Sequence, residues 1–218
     1  MKEYHKIQTV FKRDMSNKGR IIETEFALPE FEYLKGNEWI WTEKVNGTNI
    51  RVDWIRGDSR ILGSKTDNAQ IPQFLFQRLQ ERFLTEETKD NFKEKFEGSD
   101  NVCLYGEGYG ANIQKGGGNY RQDQDFVLFD VKIGDWWLQR KDVEDIALYL
   151  GLDIVPIIGV GTLADCVALT RGGFNSAWGN FTAEGIVARP KTELIARNGH
   201  RIITKIKHKD FVPTAGRK

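Results

Sequence analysis

The sequence has few cysteines and histidines, and their spacing suggests neither metal ligands nor disulfides. Cys103 and Cys166 form no CxxC pair, and the three histidines show no zinc-ligand spacing, so we expect no structural zinc site. Both cysteines lie in runs that look like core elements, and we expect them to be small buried residues. Cysteine usage of this kind fits a reducing compartment, so we expect a cytoplasmic protein.

Long apolar runs are also missing, and so is a strong charge of either sign. No run approaches the roughly 20 apolar residues that a membrane helix needs, and residues 1–20 are too polar for a secretory signal, so we expect no membrane association. The 32 Lys and Arg residues nearly balance the 31 Asp and Glu residues, which leaves a formal net charge of +1. The whole molecule therefore does not steer a polyanion, and any nucleic-acid contact must come from local basic clusters.

Aromatic and β-branched runs are frequent, which predicts more strands than helices. No internal repeat and no Pro- or Ser-rich linker divides the 218 residues, a length that suits one large domain or two small ones. The predicted strands are residues 39–42, 48–54, 102–105, 126–131 and 202–206. Few helices beside many strands, in mixed order, indicate an α+β fold of antiparallel sheets with flanking helices.

Helical periodicity is clearest at residues 71–84. The residues expected on its apolar face are Ile71, Phe74, Leu75, Leu79 and Phe83. A second helix is predicted at residues 142–150, where Gly151 stops it. A third is expected to start at Thr162, which caps it while Asp165 occupies the third helical position.

Lys44 lies where an aromatic strand gives way to a glycine turn. It follows the predicted strand at 39–42 and precedes Asn46 and Gly47, which fixes the lysine at a strand–loop junction. Gly47 lets backbone amides approach a phosphate without a Cβ in the way. By itself such a lysine is more often a solvated surface residue, so its meaning depends on the motifs that accompany it.

Two carboxylates occupy comparable positions further along the chain. Glu107 follows the predicted strand at 102–105 within a glycine-flanked turn, and Glu184 precedes Gly185 and an apolar run. Taken singly, each is more simply a glutamate beside a hairpin or at the edge of a strand.

Two strand-like segments complete the set. Phe129 and Asp130 lie in the predicted strand at 126–131, where alternation puts them on opposite faces. Lys205, Lys207 and Lys209 share one face if the last strand continues through them. That row is either a polar face in solvent or, because its apolar neighbours look like core, the lining of a cleft.

In order and spacing, the five motifs resemble the covalent nucleotidyltransferase superfamily, which contains DNA ligases, RNA ligases and mRNA capping enzymes. The usual nucleophile motif of that superfamily is KxDG, and this chain has Lys-Val-Asn-Gly from Lys44. Glu43 directly before the lysine, and Gly-Thr-Asn at 47–49, resemble the nick-sealing RNA ligase 2 type. DNA ligases usually carry Arg where this chain has Asn49. The resemblance extends from about residue 20 to Phe211.

The resemblance implies a nucleotidyltransferase fold, the ATP-grasp-like adenylylation domain of ligases, as a single adenylyltransferase domain over residues 1–218 without a C-terminal accessory domain. It implies an ATP-dependent RNA ligase that joins a 3′-hydroxyl to a 5′-phosphate in three steps. Lys44 first becomes adenylylated, AMP then passes to the 5′-phosphate, and the 3′-hydroxyl finally displaces AMP. The implied cofactors are ATP and Mg²⁺ or Mn²⁺. The implied substrate is RNA or a nicked duplex containing RNA, with an accessory protein as a further partner if a second domain is needed.

The resemblance also assigns roles to individual residues. Lys205 and Lys207 are expected to help catalysis, because their charge favours the neutral form of Lys44 and offsets charge on the α-phosphate. The residues expected to bind the nucleotide are Glu43 and Val45 at the adenine edge, Phe129 stacked on adenine, Glu107 on the ribose, Lys65 at a phosphate, and Asn46, Gly47 and Glu184. Glu184 is also the expected metal ligand, since Mg²⁺ prefers hard oxygen ligands and keeps several waters.

Alternatives remain open within and outside this superfamily. A DNA ligase and a capping-type nucleotidyltransferase share the chemistry of the first step, and a non-catalytic nucleic-acid-binding module can share the fold. The loop at 109–121 carries Tyr109, Lys115, Tyr120 and Arg121, a mixture suited to a nucleic-acid strand end. That loop is equally well an ordinary surface loop.

Overall fold

The computed structural model describes residues 3–63, 70–99 and 101–212. The strands, in chain order, are β1 (Gln8–Thr9), β2 (Phe11–Asp14), β3 (Arg20–Phe26), β4 (Trp39–Glu43), β5 (Thr48–Ile55), β6 (Asp58–Gly63), β7 (Asn101–Gly110), β8 (Gln124–Ile133), β9 (Trp136–Trp137), β10 (Asp153–Ile154), β11 (Ile157–Gly161), β12 (Gly185–Pro190) and β13 (Thr204–Lys207). The helices are α1 (Pro29–Tyr33), α2 (Gln73–Phe83), α3 (Glu86–Lys95), α4 (Arg140–Tyr149) and α5 (Leu163–Gly172).

The chain divides into two compact units that it enters more than once. One unit contains Asn46–Val155 and the N-terminal residues up to Tyr4, and the other contains His5–Val45 and the chain from Pro156 onward. We call them the Asn46 unit and the Lys44 unit. The expectation of a single adenylyltransferase domain stays a prediction.

The Asn46 unit is a six-stranded sheet covered on one face by helices. The strand order is β10-β8-β7-β5-β6, with β9 paired to β8, and all pairs are antiparallel except β10 with β8. Apolar side chains of α2, α3 and α4 pack against alternate residues of β5, β7 and β8 to form one core. This alternation leaves the opposite face of the sheet to other side chains, including that of Glu107.

The Lys44 unit contains a five-stranded sheet in the order β1-β13-β12-β4-β11 and the hairpin β2-β3. Its core joins side chains of α1 and α5 to one face of the sheet, where Trp39, Trp41, Ile186 and Ile206 are buried. The motif residues Lys44, Glu184, Lys205 and Lys207 all belong to this unit.

The predicted elements are confirmed in type and differ mainly at their ends. Both sheets are predominantly antiparallel, as an α+β fold requires. Thr162 caps α5 and exchanges hydrogen bonds with Asp165, which confirms the predicted capping box. Cys103 and Cys166 are free and fully buried, as expected.

The predicted positions of two side chains were wrong, and one helix was not predicted. Phe74 is 74% exposed, because it lies one residue, about 100° of helix rotation, from the buried Leu75. Lys209 does not share the face of Lys205, because β13 ends at Lys207 and a 3₁₀ turn follows. The sequence reading also missed α3, whose single buried residue, Phe92, leaves no apolar periodicity to detect.

Candidate active site around Lys44

Lys44 lies one residue beyond β4 and is still held by the neighbouring strand. Its backbone N–H donates to the carbonyl of Gly185 at 2.9 Å, which continues the pairing of Glu43 with Ile186. Gly185 in turn pairs with Lys207 on β13. Lys44, Gly185 and Lys207 therefore lie side by side across three strands, and their side-chain positions are on the same face of the sheet.

Glycine is required at the middle of this row. A Cβ at position 185 would lie 2.0 Å from the carbonyl oxygen of Ile206, which is backbone and cannot move aside. The bare position also leaves space between the flanking lysines. Residues 184–185 thus place a carboxylate beside the space between the two lysines, and that space exists because Gly185 has no side chain.

One carboxylate bridges the two lysines. Glu184 accepts from Lys44 Nζ at 2.6 Å through Oε2 and pairs with Lys207 Nζ at 2.8 Å through Oε1. Burial acts to raise the pKa of Glu184, but the two lysines outweigh it and the pKa is lowered from its usual value. Two ammonium groups against one carboxylate leave the cluster with a net positive charge, which suits a phosphate.

Lys205 belongs to the same face of β13. It is two residues from Lys207, while the intervening Ile206 and the preceding Thr204 are buried in the core. The predicted sharing of one strand face by Lys205, Lys207 and Lys209 is therefore confirmed for Lys205 and Lys207 only. The structure pairs Lys207 directly with Glu184, which also pairs with Lys44, and it places Lys205 one pair further along the strand.

Glu43 points to the other face of the sheet. Its side chain is only 1% exposed, and its carboxylate accepts from the Ser176 hydroxyl at 2.6 Å and from the Ala177 N–H at 2.8 Å. Burial raises the pKa of Glu43 although both hydrogen bonds oppose the change. Ser176 and Ala177 were missed by the sequence reading, because the partners of Glu43 are set by long-range strand pairing that no local pattern reveals.

The Asn46 unit contains the rest of the nucleophile motif. Asn46 donates its backbone N–H to the Tyr120 hydroxyl at 3.3 Å and its side-chain amide to the Lys115 carbonyl at 3.3 Å. A Cβ on Gly47 would lie 2.2 Å from the carbonyl oxygen of Gly108, so glycine there allows two backbones to meet. Phosphate binding by Asn46 and Gly47 stays a prediction.

The loop that contacts Asn46 is tied down at its far end. Arg121 pairs with Asp123 at 2.6 Å and with the buried Asp125 at 3.0 Å. Asp125 also pairs with Arg82 at 2.6 Å and Arg78 at 3.3 Å. Burial would raise the pKa of Asp125, but Arg82, the Phe126 N–H and Arg121 lower it overall.

Glu107 and Phe129, predicted for ribose and adenine, lie on adjacent strands of the Asn46 unit. Glu107 is half-buried opposite Asn49 and Val127. Phe129 lies where the pairing of β7 with β8 shifts between Tyr105 and Gly106, which leaves it as the extra residue of a bulge; a bulge redirects the side chains around it. The Tyr4 ring packs edge-on against Phe129 at 5.1 Å between centroids.

The last two predicted residues carry less information. Val45 is 4% exposed and its carbonyl accepts from Lys44 Nζ at 3.3 Å. Lys65 lies outside the described residues. Within the described residues, no group of three or more His, Cys, Asp or Glu side chains could hold a metal ion. Mg²⁺ is commonly bound through one or two carboxylates together with waters and substrate oxygens, and metal binding by Glu184 stays a prediction.

Comparison with known proteins adds two findings. A family model described as RNA ligase matches residues 37–207, which include both lysine motifs and Glu184. None of the curated proteins matches the chain.

None of the helices in the described part of the chain is long and apolar enough to cross a membrane.

Solved structures of an RNA ligase from Naegleria gruberi share the fold. A variant of that ligase with AMP and Mn has a TM-score of 0.65 and 18% sequence identity, over 96% of this chain and 58% of the other. A variant with ATP and Mn gives 0.65 and 19%, over 96% and 59%, and the ligase with PPi gives 0.61 and 20%, over 96% and 58%. The chain thus spans less than two thirds of these ligases, and at this identity the likeness establishes the fold.

Proposed function

Because the chain belongs to the RNA ligase family, we propose that it is an ATP-dependent RNA ligase whose nucleophile is Lys44. The observation that carries the proposal is the bridging of Lys44 and Lys207 by Glu184 on one face of the sheet. An ordinary surface lysine would have no need of a half-buried carboxylate, a second lysine and a glycine that makes room for both.

The first step forms a covalent lysine adduct. Lys44 loses its proton to water, and its Nζ attacks the α-phosphorus of ATP. The nitrogen–phosphorus bond forms as the bond to the bridging oxygen breaks, and pyrophosphate leaves. Lys207, with Lys205 on the same face, offsets the negative charge that builds up on the phosphate.

Glu184 is the residue that would hold the divalent cation, Mg²⁺ or Mn²⁺. Its lowered pKa keeps the carboxylate charged at neutral pH, as a hard metal ligand must be. When bound, the cation would supply further positive charge beside the α-phosphate. In the structure, the ammonium groups of Lys44 and Lys207 are the cations that pair with the Glu184 carboxylate, which is consistent with a carboxylate that binds cations.

The nucleotide contacts of the Asn46 unit are a separate part of the proposal. Glu107 would accept hydrogen bonds from ribose hydroxyls, and Phe129 would pack on the adenine. The substrate is RNA or a nicked duplex containing RNA, joined between a 3′-hydroxyl and a 5′-phosphate. An accessory protein that supplies a second nucleic-acid-binding surface is compatible with this scheme.

Covalent labelling tests the proposal. The protein is incubated with Mg²⁺ and ATP, GTP or NAD, and its intact mass is measured. We expect a mass gain of one AMP with ATP, no gain in Lys44→Ala, and an unchanged gain in Lys12→Ala, which removes an exposed lysine paired with Glu25. Labelling that persists in Lys44→Ala refutes the nucleophile, and labelling by GTP instead of ATP favours a capping-type enzyme.

A further inference from the structure

Glu43 and Lys44 are neighbours in sequence but serve opposite faces of the sheet. Glu43 pairs with Ile186, and Ile186 pairs with Ile206, so their side chains share the face that is buried under α5. Lys44 follows on the other face, where it meets Glu184. The side chain of Glu43 therefore points away from the reactive lysine.

The Glu43 carboxylate has both oxygens engaged. Oε1 accepts from the Ser176 hydroxyl, and Oε2 accepts from the backbone N–H of Ala177. With only 1% of the residue exposed, this carboxylate offers no surface to a nucleotide in this conformation. Its partners lie in one short segment of chain.

That segment is a closed hairpin that leads to Glu184. Asn175 and Thr182 form an isolated β-bridge, and the Ser176 N–H donates to the Phe181 carbonyl at 2.8 Å. The Ser176 hydroxyl accepts from the Trp178 N–H at 3.1 Å. The Ala183 N–H donates to the Phe174 carbonyl at 2.9 Å, and Glu184 comes next. We call residues 175–182 the anchor hairpin.

We propose that Glu43 is a positioning residue that holds the anchor hairpin, and through it Glu184, against the strand that carries Lys44. Lys44 is fixed from one side by its backbone bond to Gly185, and the segment leading to Glu184 is fixed from the other side by Glu43. The hydrogen bonds of Glu43 to Ser176 and Ala177 thereby keep Glu184 at 2.6 Å from Lys44 Nζ. This role rests on the proposed function, because its consequence is the rate of lysine adenylylation.

The kinetic test compares Glu43→Ala, Glu43→Gln and Ser176→Ala. We expect Glu43→Ala and Ser176→Ala to slow single-turnover adenylylation at saturating ATP by roughly tenfold, since small misplacements of reacting groups are costly. The ATP concentration for half-maximal rate and the preference for ATP over GTP should stay unchanged. Glu43→Gln should lose less, because its amide can still accept from Ala177 and donate to Ser176. Glu25→Ala, which removes an exposed glutamate paired with Lys12, is the matched control and should react at the wild-type rate.

A double variant separates a tie from an independent role. If Glu43 acts through Ser176 and Ala177, Glu43→Ala with Ser176→Ala should be no slower than Glu43→Ala alone, because residues in one network are not additive. Slowdowns that multiply, or a Glu43→Ala variant that weakens ATP binding or relaxes the choice between ATP and GTP, would overturn the positioning role in favour of direct contact with the base.

Amide hydrogen exchange gives a readout that needs no activity. The Ala177 N–H should exchange faster in Glu43→Ala than in the wild type, and unchanged protection would overturn the tie itself. A wild-type protein that gains no AMP refutes the proposed function, and the positioning role with it. Wild-type labelling together with wild-type rates in Glu43→Ala and Ser176→Ala refutes the positioning role alone.

Discussion

At the scale of single residues, the site depends on which lysine touches Glu184. Lys207 pairs with it at 2.8 Å, while Lys205 stands two residues back on the same face of β13. Charge at direct contact distance acts most strongly on a developing phosphate charge. The two lysines that looked equivalent in sequence are therefore not equivalent in structure.

We expect Lys207→Ala to slow lysine adenylylation by about a hundredfold, the usual cost of losing about 3 kcal/mol of transition-state stabilisation. Lys205→Ala should also slow it, though less. The measurement is the single-turnover rate at saturating ATP, with Lys209→Ala as the control because Lys209 is exposed beyond the end of β13. Wild-type rates in both Lys205→Ala and Lys207→Ala would contradict the role given to the pair.

At the scale of elements, the loop at 109–121 supports the nucleophile motif instead of lying free in solvent. Gly117 packs so closely that a Cβ would lie 2.0 Å from the carbonyl oxygen of Gly110. Arg121 fixes the far end through Asp123 and Asp125. In the structure, the loop accepts hydrogen bonds from Asn46 through Tyr120 and Lys115. Contact between this loop and a nucleic-acid strand end stays a prediction.

Tyr120→Phe tests that support. Removing the hydroxyl takes away the acceptor of the Asn46 N–H, a net loss of about 1 kcal/mol, so we expect adenylylation to slow a few-fold with little change in the melting temperature. Tyr33→Phe removes a hydroxyl from a tyrosine that is 86% exposed and should have no effect. A Tyr120→Phe rate equal to that of Tyr33→Phe would show that the loop does not govern the motif.

Asp125 connects α2 to the same loop, and its charge makes the connection depend on pH. The pKa of Asp125 is lowered below 3.8 in the folded protein, so its contribution to stability is present above that value and is lost as the pH falls through the folded-state pKa. Asp125→Asn should therefore lower the free energy of unfolding at pH 6 to 7.

That difference from the wild type should shrink as the pH falls from about 3.8, where the unfolded carboxyl of the wild type becomes protonated, through the lower pKa of the folded state, where the folded carboxyl is protonated as well. Denaturant unfolding of both proteins across this pH range is the measurement. A stability difference that stays constant down to the lowest pH would show that the carboxylate charge is not what holds the arginines.

At the scale of the whole molecule, the charge balance bears on how the proposed RNA substrate would be held. With a formal net charge of +1, we expect RNA binding to rely on a few local contacts, and we propose the positive cluster at Lys44 and Lys207 as one of them. Where affinity comes from phosphate contacts, the logarithm of the binding constant falls linearly with the logarithm of the salt concentration. Substrate preference is therefore best measured at low salt.

We expect sealing of nicked duplexes to require a ribose at the 3′-hydroxyl end, while the 5′-phosphate strand is RNA or DNA. A protein distinguishes RNA from DNA through the 2′-hydroxyl or the local A-like geometry. The assay uses all four RNA and DNA combinations at the nick, with single strands and pre-adenylylated ends so that a defect in AMP transfer does not mask the last step. Equal sealing of an all-DNA nick would refute the RNA preference and leave the lysine chemistry intact.

The sequence by itself predicted the type of most main elements and supplied the candidates for the reactive residues. Runs of apolar and β-branched residues specify strands locally, and Thr162 with Asp165 caps a helix within four residues of chain, so both are legible without a fold. The order of the lysine, glutamate and phenylalanine motifs likewise pointed to an RNA ligase before any geometry was available.

Only the tertiary structure decided which of those residues meet. Lys44 and Glu184 are separated by 140 residues and come together because β4 and β12 pair in one register. The same register turns Glu43 toward Ser176 and away from Lys44, which no local pattern reveals because strand pairing is a long-range choice. Sequence supplies the reactive groups, whereas the pairing of distant strands sets which face each one occupies.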